Sequence, residues 1–215
     1  MLTLYGYFRS SAAFRARIAL NLKGLDHELR YVHLSRGGGE QFQPAYRKIN
    51  PQALVPALDD DGNVITQSLA VIEYLDEAYP EMPLLPSTAL ERARVRALAL
   101  LIACEIHPLN NLRVLNFLTR DLKLSEDDKL RWYRHWIATG FAALEESLAG
   151  NPATGAYCHG DRPTLADVCL VPQVFNARRY NCDLAPYPTV VRIAEACLKL
   201  DAFRNAAPEN QADRE

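Results

Sequence analysis

Two adjacent hydroxyls, Ser10 and Ser11, stand among three arginines, Arg9, Arg15 and Arg17, in the stretch YFRSSAAFRARIAL over residues 7–20. A single serine at a helix start has a plain role: it satisfies a backbone N–H that the first turn leaves over, for about 1 kcal/mol. Two are more than one cap needs. Arg9 and Arg15 also put positive charge beside the positive end of the helix dipole, which is unfavourable for stability alone and favourable if an anion binds there. An anion site, and a cap flanked by solvated arginines, both fit the pattern.

Other stretches offer polar groups with similar ambiguity. In NPQALVPAL, Val55 precedes Pro56 at the start of an alternating run. Pro56 is read either as an ordinary strand-start proline or as a cis proline that leaves the Val55 N–H and C=O facing an extended peptide. TQSLAVIEYL puts Gln67 and Ser68 at a second helix start, where Ser68 is the expected cap and where a carboxylate can be received. CEIHPLNNLRVLNFL gathers His107, Asn110, Asn111 and Arg113 on an otherwise apolar helix that Pro108 should distort. These four are read either as satisfied structural residues or as the lining of a site. NARRY adds Arg178 and Arg179 after an apolar run, where adjacent arginines ordinarily project into solvent. The five cysteines form no C-x-x-C pair and no histidine stands at metal-ligand spacing, which argues against a disulfide framework and against a metal site. Cys169 and Cys197 fall in apolar helical patterns and read as small buried hydrophobes.

These groups need elements to position them. LTLYGYF reads as a strand, and Phe14, Ile18 and Leu22 then recur at helical spacing with Gly24 as the stop. HELRYVHL, LVPALDD and NVITQ read as three further strands, the last two joined by the hairpin signal DDDGN, and LAVIEYLDEAY closes the unit as a helix. The expectation is a four-stranded mixed sheet within residues 1–80. Prolines at 80, 83 and 86 cannot continue a helix, so residues 81–86 read as a linker to a second domain over 87–215.

Beyond the linker every signal is helical. Thr88 with Glu91, Ser125 with Asp128, and Thr164 with Asp167 have the spacing of capping boxes. Tyr133, Ile137, Phe141, Leu144 and Leu148 mark one buried face, Pro172 predicts a kink, and the polar tail APENQADRE is expected to fray. The fold class is therefore an α/β N-terminal domain followed by an all-α C-terminal domain. With 215 residues, 49% of them hydrophobic, and a formal net charge of −2, the chain can bury a core but offers no basic field to nucleic acid. It contains no run of eighteen apolar residues and no apolar leader, so no membrane partner is expected and the cytoplasm is the expected location.

In order and approximate spacing, YFRSSAAFRARIALNLKG, NPQALVPAL, QSLAVIEYLDEAYP, IHPLNNLRVL, GDRPTLADVCLVPQV and RRYNCDLAPYP resemble the zeta class of glutathione transferases over nearly the whole chain. VPAL and QSLAVIEYL mark glutathione transferases broadly, whereas the serine-rich start, HPLNN and LVPQV narrow the likeness to zeta. The resemblance implies a thioredoxin-like N-terminal domain that binds glutathione as cofactor, an all-helical domain over the acceptor site, and a homodimer. Residue by residue, it implies Ser10, Ser11 and Arg15 in the serine motif and Gln41 near the glycine end of glutathione. It also implies Val55 before a cis Pro56 pairing with the cysteinyl backbone, Gln67 and Ser68 on the γ-glutamyl carboxylate, and His107 and Asn111 lining the site.

The activity so implied is cis–trans isomerisation of a small dicarboxylate, maleylacetoacetate or maleylpyruvate, in aromatic catabolism. Ser10, Ser11 and Arg9 would be its catalytic groups, and Arg9, Arg113 and Arg179 would meet the substrate carboxylates. A conjugating or dehalogenating transferase, and a non-catalytic glutathione-binding regulator, are the alternatives. One departure stands out: many family members carry cysteine straight after the two serines, and here the residue is Ala12. The thiol must then come from glutathione.

Overall fold

The computed structural model describes residues 1–214 and divides into two compact units. The first contains the sheet. Strands β1 (Leu2–Gly6), β2 (His27–Tyr31), β3 (Ala57–Asp60) and β4 (Asn63–Thr66) lie in the order β2-β1-β3-β4, with β1 and β2 parallel and β3 antiparallel to both of its neighbours. A parallel pair needs a crossover, and helix α1 (Ser11–Leu22) supplies it. Leu2 and Leu4 alternate along β1 as expected, and with a neighbour on each side the strand is buried along most of its length, Thr3 included. Asp61 and Gly62 turn the β3–β4 hairpin with φ of 49° and 92°, and the Gly62 N–H donates to the Asp59 side chain at 2.7 Å. Helix α3 (Ser68–Ala78) packs on α1. A short helix, α2 (Pro44–Ile49), was not expected from its sequence. Pro44 opens it where a missing N–H costs nothing.

The second unit is helical: α4 (Ala89–Leu100), α5 (Leu112–Asn116), α6 (Glu126–Leu148), α7 (Leu165–Arg179) and α8 (Pro188–Leu198). Its starts follow the caps in the sequence. Thr88 and Ser125 accept from the backbone N–H three residues on, and the Asp167 carboxylate reaches back to the Thr164 N–H at 2.8 Å. The buried face of α6 is Tyr133, Ile137, Phe141, Leu144 and Leu148, as the spacing requires. Helix α7 runs on through Pro172 as one helix. By length and composition alone, the helical run from Ala89 to Asp121 is apolar enough to cross a membrane, although Val95, Leu98, Ile102 and Ile106 pack into the unit's own core.

Within that run the backbone widens to π-type turns at Leu101–Ile106 and Phe117–Asp121. The His107 N–H donates five residues back, to the Ile102 carbonyl, at 2.9 Å. Pro108 follows and has no N–H to continue the ladder. The bulge leans Ile106 toward α6, where a Cβ added at Gly140 would stand 2.3 Å from the Ile106 side chain. A Gly140→Ala variant is expected to lose about 1–3 kcal/mol in thermal denaturation, because overpacking a closed core exceeds the ~1 kcal/mol that alanine gains in a helix.

The expected second domain of 87–215 is corrected at its far end, because the stretch from Lys199 onward belongs to the first unit. Helix α9 (Asp201–Ala206) packs on α1, buries Phe203 completely, and offers the Ala206 carbonyl to Arg17 Nε at 2.9 Å and the Ala202 carbonyl to Asn21 at 3.0 Å. The tail expected to fray is also ordered as far as Arg214. Gln211 is buried and donates to the Asn205 and Ala207 carbonyls, and Asp213 accepts the Phe8 N–H at 2.9 Å.

Candidate active site

Chain reversal between β1 and α1 brings the serine pair to a helix N-terminus. The Ser10 N–H donates to the Tyr7 carbonyl at 3.0 Å, closing a turn over residues 7–10, and Ser10 Oγ then accepts from the Ala13 N–H at 3.2 Å. Capping uses an oxygen lone pair and leaves the hydroxyl proton uncommitted by that contact. The cap and the site are therefore compatible: one oxygen holds the helix and its proton can face a ligand. Ser11 is the first helical residue and is buried. No acidic side chain occupies the first turn of α1, so nothing within the helix neutralises its positive end. Arg9 is exposed and restrained: it donates to the Tyr7 hydroxyl at 2.9 Å and its guanidinium lies 4.9 Å from the centre of the Phe8 ring.

The loop bearing Val55 is braced against the same aromatic cluster, in which Tyr7, Phe8, Val32, Tyr46 and Val55 pack together. The Val55–Pro56 bond is cis. Strand pairing begins at Ala57, so Val55 has no strand opposite it. Tyr46 and Asn50 both donate to the Leu54 carbonyl, at 2.7 and 2.8 Å, and the Asn50 side chain accepts the Gln52 N–H at 3.0 Å. Burial pushes the Tyr46 phenol up, which keeps it a neutral donor. These bracing residues were not singled out in the sequence; the Asn50–Pro51 turn signal was the one available clue.

At the start of α3 the structure corrects the expected cap. Gln67, not Ser68, is the N-cap residue, and its side chain caps nothing. Gln67 stands at φ 69°, a conformation that costs a non-glycine residue about 1–3 kcal/mol and that collects at ligand sites. Its amide donates to the Gln52 side chain at 2.8 Å, tying the helix start to the Val55 loop. Ser68 is buried in the first turn and accepts from Arg15 Nη1 at 3.4 Å. Arg15, itself buried, thus joins the starts of α1 and α3. Gln41 is also buried, with its Nε2 donating to the Leu34 carbonyl at 3.2 Å, and Gly39 at φ 109° leaves the room that its amide fills.

The helical unit holds its own polar group. Asn111 caps α5 by accepting the Arg113 N–H at 3.1 Å, and its amide lies 3.3 Å from His107 Nε2. A donating amide there makes Nε2 the acceptor and leaves the ring proton on Nδ1. Asn110 donates to the Tyr133 carbonyl at 3.1 Å, a structural role. Arg113 and Arg179 are exposed and neither is in an ion pair among the described residues. Arg179 lies 5.1 Å from the centre of the Tyr180 ring, which stacks on Tyr133 at 3.7 Å. Arg178 pairs with Glu195 on the surface instead.

The first unit therefore presents two helix starts, a valine before cis Pro56 with no strand opposite it, and a hydroxyl donor, groups able to receive an anionic, extended ligand. Residues 4–83 match the glutathione S-transferase N-terminal domain family, and residues 136–204 match the glutathione S-transferase C-terminal domain family. A probable maleylacetoacetate isomerase from Vibrio cholerae is 55% identical, over 99% of this chain and 98% of its own. The structure of maleylpyruvate isomerase, a bacterial zeta-class glutathione S-transferase, superposes with a TM-score of 0.96 at 48% identity, over 99% of this chain and 100% of the other. Maleylacetoacetate isomerase from Methylobacterium extorquens, solved with malonate and glutathione bound, has a TM-score of 0.95 at 43% identity, over 99% of each chain. With both domain families matched in order and such likeness along its whole length, the chain belongs to the zeta class of the glutathione S-transferases.

Proposed function

We propose that the protein is a glutathione-dependent cis–trans isomerase of a cis-enedioic keto acid, maleylacetoacetate or maleylpyruvate. The observation that carries this reading is the Ser10 hydroxyl, which caps α1 with its oxygen while its proton stays available at a helix start that lacks acidic side chains. The residues present fit glutathione. Gln67 and Ser68 offer a strained helix start to a carboxylate, Val55 offers a backbone edge without a partner strand, and Ser10 offers a donor to sulfur.

Bound glutathione supplies a sulfur nucleophile that adds to the cis double bond and leaves again once the former double bond has rotated, with no net redox change. This chain's task is to make and hold the thiolate. A thiol near pKa 8.5 is a few per cent ionised at neutral pH, and lowering that value by two units takes about 2.7 kcal/mol. A hydroxyl bond to a charged acceptor contributes about 1.5–3 kcal/mol and a helix N-terminus about 0.3–1 kcal/mol, so Ser10 on α1 accounts for the amount. Charge developing on the substrate needs cations, and Arg9 on the first unit and Arg113 and Arg179 on the helical unit are assigned to its carboxylates.

A homodimer is proposed as well, on the strength of the zeta-class likeness; light scattering on the purified chain reads it directly. The decisive assay follows both substrates side by side, with and without glutathione. Turnover is expected only with glutathione, and equal turnover in its absence would overturn the mechanism.

A further inference from the structure

Three backbone groups of the turn that precedes Ser10 are held by side chains from outside the turn. Arg17, buried on α1, donates from Nη1 to the Tyr7 carbonyl at 3.4 Å and from Nη2 to the Phe8 carbonyl at 3.0 Å. Its Nε donates to the Ala206 carbonyl at the end of α9. The Phe8 N–H of the same turn goes to Asp213 Oδ2 at 2.9 Å, a charge-assisted bond spanning 205 residues of sequence. The second oxygen, Asp213 Oδ1, is buried and has no hydrogen-bond partner among the described residues.

A cap on this turn needs only one neutral acceptor, yet the chain returns to it with a carboxylate and buries that carboxylate's other oxygen. Burying an oxygen unpaired costs roughly 1–3 kcal/mol, which a purely structural tail gains nothing by bearing. Burial lowers the Arg17 guanidinium to about 10, and the charge of Asp213 opposes that shift, so Arg17 stays protonated at neutral pH. The three carbonyl bonds it donates are therefore those of a cation.

We propose that Arg17 and Asp213 are positioning residues for the glutathione thiol: between them they lock the Tyr7–Ser10 turn in the one orientation that aims the Ser10 hydroxyl at the sulfur. This deepens the function proposed above and rests on it. The tail from residue 207 is then part of the thiol-activating machinery, although it touches no reacting atom.

The test uses the full chain with Asp213→Asn, which keeps an oxygen acceptor but removes the charge, and Asp213→Ala, which removes both. Three readouts are taken: the titration of the bound glutathione thiol by its ultraviolet thiolate absorbance, amide hydrogen exchange at Ser10–Ala13, and calorimetric binding of S-methylglutathione, which has no thiol. The expected order of the thiolate-to-thiol ratio at neutral pH is wild type, Asn, Ala, with the ratio in the Ala variant about three- to tenfold below wild type, since one pKa unit is tenfold in that ratio. Exchange at Ser10–Ala13 quickens in step, and S-methylglutathione binds all three proteins alike.

Unchanged thiol titration in both folded variants would overturn the proposal, as would a parallel loss of S-methylglutathione binding, which would make the tail a support for the whole site. Should the Ala variant fail to fold, the Asn variant decides by the same criteria. Failure of the wild type to bind glutathione at all would instead overturn the function itself.

Discussion

A Ser10→Ala variant is expected to lose about two to three orders of magnitude in kcat, the usual effect of removing one preorganised donor from a developing or resident anion. Its loss in thermal stability should be small, about 1 kcal/mol, because only the cap at Ala13 disappears. Those two numbers separate the roles of one oxygen: the helix needs its lone pair and the chemistry needs its proton. Ser10→Thr, which keeps both, should recover much of the activity. Steady-state kinetics together with thermal denaturation checks this, and full turnover by the Ala variant would remove Ser10 from thiolate activation.

Asp167→Asn should have the largest effect on stability. The Asp167 carboxylate is fully buried at the start of α7, with Oδ1 accepting the Cys158 N–H at 2.8 Å and Oδ2 accepting the Thr164 N–H and hydroxyl, each at 2.8 Å. An amide can keep an oxygen on one side only, so its NH2 must face an N–H donor on the other. Leaving a buried donor without its charged acceptor costs about 3 kcal/mol. At roughly 2–4 °C per kcal/mol for a chain of this size, the midpoint should fall by about 6–12 °C in calorimetry. The neighbouring thiols give no relief: burial pushes both Cys158 and Cys197 up, so they remain neutral.

Much of this architecture was legible because it is written in local signals. Caps at Thr88 and Ser125, the Asp61–Gly62 turn and the apolar face of α6 each depend on residues a few positions apart, and each stands where periodicity places it. Ser68 was misread as a cap for a physical reason. Gln67 takes up the helix start at φ 69°, a conformation no residue but glycine adopts readily, so no propensity announces it. Helix α2 has six residues, too few for a period to emerge. The tail misled because its order comes from side chains bonding to backbone, Gln211 to Asn205 and Ala207, Asp213 to Phe8, and such bonds leave no hydrophobic pattern.

The candidate site divides the same way. Ser10, Val55, Gln67 and Ser68 could be singled out from the sequence because helix starts and X-Pro steps are local features. Tyr46, Asn50 and Asp213, which hold those residues in place, act over distances in sequence that spacing rules do not span. Arg15 and Arg17 illustrate the limit within one helix. Both look like solvated arginines from their neighbours, and both are buried, one under Ser68 and the other among three carbonyl groups.

The first unit is discontinuous, with residues 85–198 inserted between its sheet and its last helix. On the ribosome this imposes an order. The sheet and α1 emerge first, but the side of α1 that α9 covers stays bare until residues 199–214 have themselves emerged, after the whole helical unit. The serine turn is thus completed only after the inserted helical unit has been synthesised, and on the role proposed for Asp213 a nascent chain that stops short of that residue cannot hold the thiolate.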